Sequence, residues 1–449
     1  MKHLKFFISL LLIFVACLWF APTAWAFCGF YVAKADTKLY NKASQVVIAR
    51  NGDRTVLTMA NDYQGNVKDF AVVVPVPTVL LKDQVHVSEP KMIERLDAFS
   101  APRLVEYFDS NPCTPTEWME KPASAPTARK ADAQRSRGAS SNGVTVLASF
   151  NVGEYDIVIL SARESGGLET WLNRNGYKIP RGAKQLLQPY IRSSMKFFVA
   201  KVNLDKFAET GYQFLRPLQI YYQSPKFMLP IRLGMINATK EQDLIVYVLS
   251  PKGQAEITNY RTVKIPSNTN IPLFVKDEFG DFYKSMFKTT YTREDRKVAF
   301  LEYAWDMSTC DPCSAEPLTR EELKQAGVFW QDDLPSRFGR SFPSSNVFIT
   351  RLHVRYTRDK FPEDLMFQET SNRESFQGRY ILQYPFTGSV NCQAGREYKR
   401  SLPSRFEGEA QTLAQLTNWN IQDIRQKMRL RGQVSANWWQ TLLEWLRLS

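Results

Sequence analysis

The sequence predicts an α+β fold: a strand-rich body with short helices, one low-complexity interruption and a helical C-terminal extension. Three observations carry that prediction. Apolar runs with strand character, several bounded by Asn-Gly or Pro, recur from residue 45 to residue 385. Short amphipathic segments with capping residues lie between them, and beyond Pro403 the apolar spacing becomes that of a helix. At 449 residues, with 44% hydrophobic residues, 29 Phe, 19 Tyr and 10 Trp, the chain is long and aromatic enough to bury a large core. Its 21 Gly and 24 Pro exclude a collagen-like or wholly disordered class.

The chain opens Met1-Lys2-His3-Leu4-Lys5, continues through a largely apolar run from Phe6 to Phe20, and reaches Ala24-Trp25-Ala26. A basic start, an apolar stretch and small residues at both cleavage-determining positions make residues 1–26 a secretory leader cut after Ala26. The run of 15 residues falls short of the roughly 20 that span a bilayer as a helix. A lipoprotein site at Cys17 is the alternative, although no aliphatic residue stands three places before it. Loss of Lys2 and Lys5 with the leader takes the formal charge from +13 to +11. Outside the cytoplasm, a basic surface keeps the protein soluble or meets an anionic membrane surface or envelope polymer, and no nucleic acid is expected as partner.

The N-terminal part, 27–113, begins with a hairpin. Gln45–Arg50 and Thr55–Met59 flank Asn51-Gly52-Asp53, and Asn-Gly supplies residues that tolerate the positive φ of a tight turn. Asp69–Pro77 is a continuous apolar strand closed by prolines, and His86 sits in the alternating Gln84-Val85-His86-Val87, which places it on a solvent-facing strand. Helices are expected at Lys91–Phe99 and around Leu104–Phe108. Residues 114–143 hold Pro115, Pro122 and Pro126, much Ala, Ser and Thr, and no large apolar residue after Met119. Such a stretch cannot bury enough surface to order itself, so it reads as a flexible linker or insertion.

The body, 144–402, resumes with strands at Val144–Phe150 and Tyr155–Leu160, then a short helix from Leu168 stopped by Asn175-Gly176. Leu186–Phe198 reads as a longer amphipathic helix with Pro189 near its start. Strands follow at Phe214–Tyr222, Met228–Gly234, Leu244–Leu249, Val298–Trp305, Val347–Tyr356 and Gly378–Pro385. Leu244–Leu249 is apolar at every position, so both its faces are buried. His353 in Leu352-His353-Val354 is placed, like His86, on a solvent-facing strand. In the extension, 403–449, Leu413, Leu416, Ile421, Ile424 and Met428 keep near-helical spacing, with Asn420 as a cap.

Phe27-Cys28-Gly29-Phe30-Tyr31-Val32, Val72–Pro77, Ser100–Phe108, and Cys310-Asp311-Pro312-Cys313 with Gly327-Val328-Phe329-Trp330 together resemble an uncharacterised bacterial family, domain of unknown function 2330. The resemblance spans roughly residues 27 to 390. It implies export and one architecture interrupted by residues 114–143, and it brings no activity, cofactor or partner.

Five cysteines survive removal of the leader: Cys28, Cys113, Cys310, Cys313 and Cys392. In an oxidising compartment they are disulfide candidates, two bridges among them leaving one odd thiol. Any four pair in three ways, and the sequence does not choose. Cys310 and Cys313 form a CxxC between a strand and a helix, the order of thiol-disulfide oxidoreductases, and are the redox alternative. Thr319 with Glu322 has capping-box spacing, which starts that helix near Arg320, too far from Cys313 for its dipole to activate a thiol. A structural disulfide is therefore preferred. No metal site is expected from one CxxC, His86 and His353, and no cofactor: G-x-S-x-G, H-E-x-x-H and a phosphate loop are all missing. Glu321-Glu322 and Glu363-Asp364 are expected at helix starts, where the macrodipole favours acids.

Residues 434–449 carry the second functional lead. On a helix, Val434, Trp438, Leu442 and Trp445 align, with Trp439, Leu443 and Leu446 widening the face. Arg425, Lys427, Arg429 and Arg431 lie just upstream, so this face either meets a membrane interface or docks on the protein's own body. Together these features predict an exported binding or envelope-associated protein without catalysis, with the CxxC oxidoreductase as the competing class.

Overall fold

The computed structural model describes residues 30–33, 40–41, 44–60, 63–64, 70–114, 145–162, 165–177, 183–212, 215–236, 241–309, 315–331 and 346–430. Along the chain its main elements are β1 (Ser44–Asn51), β2 (Arg54–Ala60), β3 (Phe70–Val76), α1 (Pro90–Ser100), β4 (Arg103–Phe108), β5 (Thr145–Val152) and β6 (Tyr155–Ser161). They continue with α2 (Ser165–Arg174), α3 (Ala183–Arg192), β7 (Lys196–Val202), β8 (Leu218–Gln223), β9 (Gln242–Ser250), α4 (Phe279–Arg293) and β10 (Val298–Asp306). Then come α5 (Arg320–Gln325), β11 (Phe348–Tyr356), β12 (Arg379–Tyr384), α6 (Gln393–Thr417) and α7 (Ile421–Leu430). The α+β class is observed.

Two sheets face each other. The smaller runs Phe30–Ala33, β3, β7, β6, β5, every pair antiparallel. The larger has nine strands and runs Arg261–Lys264, β10, β11, β9, β1, β2, β8, Val85–Val87, with Phe376–Gln377 on β10. It is mixed, because β9 pairs β1 in parallel and Arg261–Lys264 pairs β10 in parallel. Side-chain alternation assigns each face. Val72, Val74 and Val76 of β3 join Val46, Ile48, Leu244, Val246 and Leu352 in the core between the sheets. The opposite face of β3 and β7, Ala71, Val73, Phe197 and Val199, packs under Leu168, Leu172 and Leu187 of α2 and α3. On the outer face of the large sheet, α1 covers Val47, Ile245 and Tyr247, while α4, α6 and α7 cover Val298 and Phe300. The result is helices, sheet, sheet, helices, with the burial of β9 on both faces following directly.

Local chemistry accounts for the caps. The β1–β2 turn is built on Gly52 and Asp53, since Asn51 pairs Arg54, and Gly52 alone of the turn takes a positive φ, +61°. Thr319 and Glu322 form the reciprocal cap of α5: Glu322 N donates to Thr319 Oγ1 at 3.2 Å and Thr319 N to Glu322 Oε2 at 2.8 Å. Asn420 accepts from Gln422 N at 2.7 Å and starts α7, and Gly176 follows α2 at φ +84°.

Several expectations are overturned. Leu104–Phe108 is strand, not helix: Pro102 restrains the entry, and β4 pairs in parallel with β12, a partner from the other end of the chain that local pattern does not reveal. The helix expected to run from Leu186 to Phe198 stops at Arg192; Ser194 turns left-handed at φ +57° and β7 begins at Lys196. Of Met228–Gly234, only Met228–Leu229 is strand before a 3-10 turn at Arg232–Ile236, and Phe214–Tyr222 shortens to β8. Glu363-Asp364 precedes a strand, Leu365–Glu369, and Asp364 is buried against Tyr190 Oη at 2.6 Å and Ile231 N at 3.0 Å. Helix α6 starts at Gln393, so Pro403 lies inside it. Among the described residues no helix is long and apolar enough to cross a membrane.

Candidate functional site

A seam of charge crosses the outer face of the large sheet between the apolar cluster under α1 and the one under α4. Its origin is alternation on β11: Leu352, Val354 and Tyr356 point into the inter-sheet core, so Arg351, His353 and Arg355 project outward. The register sets Tyr247, Ile245 and Asp243 of β9 opposite those three in turn. On the other side, β10 pairs Leu301 with Leu352 and Tyr303 with Arg351, leaving Glu302 as an extra residue. That bulge turns two successive side chains, Glu302 and Tyr303, to the outer face. Its backbone is still satisfied, because Glu302 O accepts from Gly378 N at 2.7 Å.

The groups form one chain. Asp97 of α1 accepts from Arg351 Nη1 at 2.6 Å and from Tyr247 Oη at 2.8 Å, and Gln45 Nε2 donates to that hydroxyl at 3.0 Å. Arg351 Nε donates to Glu302 Oε2 at 2.7 Å, and Tyr283 of α4 donates to Glu302 Oε1. His353 lies with Nδ1 2.8 Å from Glu302 Oε1 and Nε2 3.0 Å from Asp243 Oδ1. Arg355 closes the chain with a two-pronged bond to Asp243, 2.8 Å for each contact. Phe287 stacks on the imidazole at 4.0 Å and lies under the Arg355 guanidinium.

His353 is therefore buried, correcting the solvent-facing placement, whereas His86 is exposed as expected. Both imidazole nitrogens face carboxylate oxygens, and only a doubly protonated ring donates to both. Charge arithmetic agrees: Arg351, His353 and Arg355 balance Asp97, Glu302 and Asp243 when the ring is cationic. Burial pulls the His353 pKa down, but Glu302 and Asp243 outweigh it and hold the value above the usual histidine range. Burial would raise Glu302, and His353, Arg351 and Tyr283 bring it to about 2. Asp243 lies well below the carboxylate range because His353 and Arg355 overcome its burial. With both ring nitrogens protonated and bonded to carboxylates, the His353 imidazolium presents no lone pair to a proton or a metal. Among the described residues no group of three His, Cys, Asp or Glu is placed to hold a metal.

A second cluster tethers α6. Cys113 and Cys392 form a disulfide, Cα–Cα 5.8 Å, joining residues 279 apart in sequence. Cys392 Sγ also accepts from Gly395 N at 3.1 Å, capping α6. A Cβ on Gly395 would lie 2.5 Å from Val390 Cβ and 3.1 Å from Cys113 Sγ, so the position requires glycine. Beside the bridge, Asp109 accepts from Gln383 Nε2 and Tyr398 Oη, each at 2.5 Å, and from Arg405 Nη1 at 2.6 Å.

Of the candidates named from sequence, the structure brings Cys113 and Cys392 together. Cys28, Cys310 and Cys313 lie outside the described residues, as do Trp438, Trp439, Leu442, Trp445 and Leu446 and all but Thr114 of the 114–143 segment. The helix after the CxxC begins at Arg320, seven residues past Cys313. Sequence reasoning missed Asp97, Asp243, Glu302, Arg351 and Arg355. A signal was present in the Arg-x-His-x-Arg alternation of β11 and in a glutamate within the apolar run of β10.

A family model described as an uncharacterized protein conserved in bacteria, DUF2330, matches residues 22–368. No curated protein and no solved structure matches the chain. The matched span includes β9, β10 and β11 and so the whole charged seam, and it ends before Cys392.

Proposed function

This chain belongs to that bacterial family of uncharacterized proteins, whose description assigns no activity, and we propose from geometry and sequence that the protein is an exported, disulfide-stabilised binding protein of the cell envelope. The observation that carries the reading is the Cys113–Cys392 bridge, which joins residues 279 apart and belongs to chemistry outside the reducing cytoplasm. The leader-like residues 1–26 support the same compartment. The partner that suits a formal charge of +11 after cleavage is an anionic envelope polymer. The oxidoreductase reading gains no support, since α5 starts at Arg320, seven residues after Cys313 in the sequence, whereas an activating helix would start at the CxxC itself.

The compartment is tested by mass spectrometry of the chain purified from a bacterial host without reductant. The mature N-terminus should be Phe27 and Cys113 should be linked to Cys392; an intact leader with free thiols at both positions would refute export. The partner is tested by co-sedimentation with purified cell-wall sacculi. Binding should weaken as salt rises from roughly 0.05 to 0.5 M, because screening shortens the reach of the basic surface. Binding indifferent to salt, or none, would refute the anionic polymer.

A further inference from the structure

A cavity of about 560 Å³ lies along α7, lined by Trp419, Asn420, Asp423, Ile424, Gln426 and Lys427, with Leu430 at its far end. That volume falls within the roughly 300–1,000 Å³ of small-molecule sites. Asn418 ends α6 in the left-handed region at φ +60°, and Trp419 and Asn420 then lead into α7. From Asn420 on, the lining residues lie three or four positions apart and so share one side of the helix. The floor is apolar, with Ile424 buried. Trp419 is held in place, because its Nε1 donates to Ser285 Oγ at 3.0 Å and Lys427 Nζ lies over its ring. The rim is polar. Asn420, Asp423 and Gln426 are exposed, and among the described residues neither Asp423 nor Gln426 has a hydrogen-bond partner or counter-ion.

We propose that this groove binds an uncharged N-acetylated hexosamine unit of the envelope polymer, with the sugar ring against Trp419, its hydroxyls on Asp423 and its acetamido group on the Asn420 and Gln426 amides. The inference rests on the reading of the protein as an envelope-polymer binder, and it names the part of the polymer that the groove takes. Sugar C–H bonds carry partial positive charge and pack on the negative face of an indole. An unpaired carboxylate accepts two hydroxyl hydrogen bonds at once, and a primary amide both donates to and accepts from an acetamido group. The apolar floor at Ile424 and the Leu430 end suit the methyl of that group. With Trp419 already fixed by Ser285, its ring loses little freedom when a sugar packs on it.

Charge decides which ligand fits. Lys427, the one cation among the lining residues, donates through Nζ to Glu278 Oε2 at 2.6 Å and is thereby balanced, whereas Asp423 is not. The groove therefore carries a negative charge that repels a phosphate or a carboxylate and accepts hydroxyl groups. An anionic lipid headgroup is disfavoured on that ground, and the acidic groups of the polymer meet the basic surface elsewhere. An apolar helix laid in the groove would bury Asn420, Asp423 and Gln426 without partners, a desolvation cost that such a helix does not return.

Calorimetric titration of the full mature chain with the uncharged tetramer of N-acetylglucosamine tests the proposal. The tetramer should bind, and its affinity should hold steady as salt rises from roughly 0.05 to 0.5 M, since the ligand has no charge to screen. Asp423→Ala should weaken binding roughly tenfold or more and Gln426→Ala roughly threefold or more, the worth of a charged and a neutral hydrogen bond. Both changes are made at exposed side chains, so amide protection of Phe348–Tyr356 should stay as it was. No binding of the tetramer by the unsubstituted chain overturns the proposal, as does binding that both substitutions leave intact. Flotation with phosphatidylglycerol vesicles that Asp423→Ala strengthens would mark a lipid surface and overturn it too. Co-sedimentation with sacculi separates this inference from the reading beneath it. Sacculi that carry down the chain when the tetramer does not bind overturn the groove assignment alone, and sacculi that fail to bind overturn the polymer reading.

Discussion

At the scale of single residues, the physics of the seam concentrates in His353 and Glu302. Glu302 has a side chain only 1% exposed and faces two cations, so its charge is essential to both. Replacing Glu302 by Gln keeps the shape but leaves Arg351 and His353 short of a counter-charge in a buried site. Loss of one partner of a buried pair costs about 3–5 kcal/mol, and the urea midpoint of Glu302→Gln should fall accordingly. An unchanged midpoint would show that the seam is not under electrostatic tension. His353 gives the pH dependence a definite sign. Its folded pKa is raised, so its contribution is complete below the unfolded value of about 6.5 and is lost as pH rises through the folded value. Glu302 and Asp243 behave oppositely, with contributions complete above roughly pH 4.5 and lost as pH falls toward 2. Stability should therefore peak on the acid side of neutrality, and the gap between the natural chain and His353→Gln should narrow as the solution is made alkaline. Urea titrations from pH 4 to 9 read both; a gap constant across that range would contradict an imidazolium.

At the scale of elements, local sequence specifies caps and turns well and specifies identity poorly wherever a distant partner decides. Thr319 with Glu322, Asn420 and Gly176 act where their spacing places them, because a cap is satisfied within four residues. Leu104–Phe108 has no such local determinant. Its Leu, Val, Tyr and Phe suit either state, and pairing with β12 settles it. Helix α6 depends on a tether of the same long-range kind, since the bridge and the Asp109 cluster fix its first turns to β4 and β12. Replacing Cys113 and Cys392 together by Ala should lower stability by about 2–4 kcal/mol and speed amide exchange at the start of α6, leaving β9 and β11 protected. Equal loosening of all the strands would show that the bridge supports the fold as a whole and not one helix.

At the scale of the whole molecule, the layers explain why a site made of charge can sit where it does. Two sheets share one core, and each outer face is roofed by helices, so the outer face of the large sheet is nearly as dry as the interior. There the seam separates two apolar clusters and gives α1 and α4 specific partners in Asp97 with Arg351 and Tyr283 with Glu302. Sequence by itself determined the class, most strands and the caps, because hydrophobic period and capping are read from neighbours in the chain. It also held the alternation of Arg351, His353 and Arg355. Only the tertiary structure decided that this face is covered, that a bulge aims Glu302 at His353, that Cys113 meets Cys392, and that Leu104–Phe108 is a strand. Each of those depends on groups far apart in sequence meeting in a medium that excludes water, and neither the meeting nor the exclusion is written in any short stretch of residues.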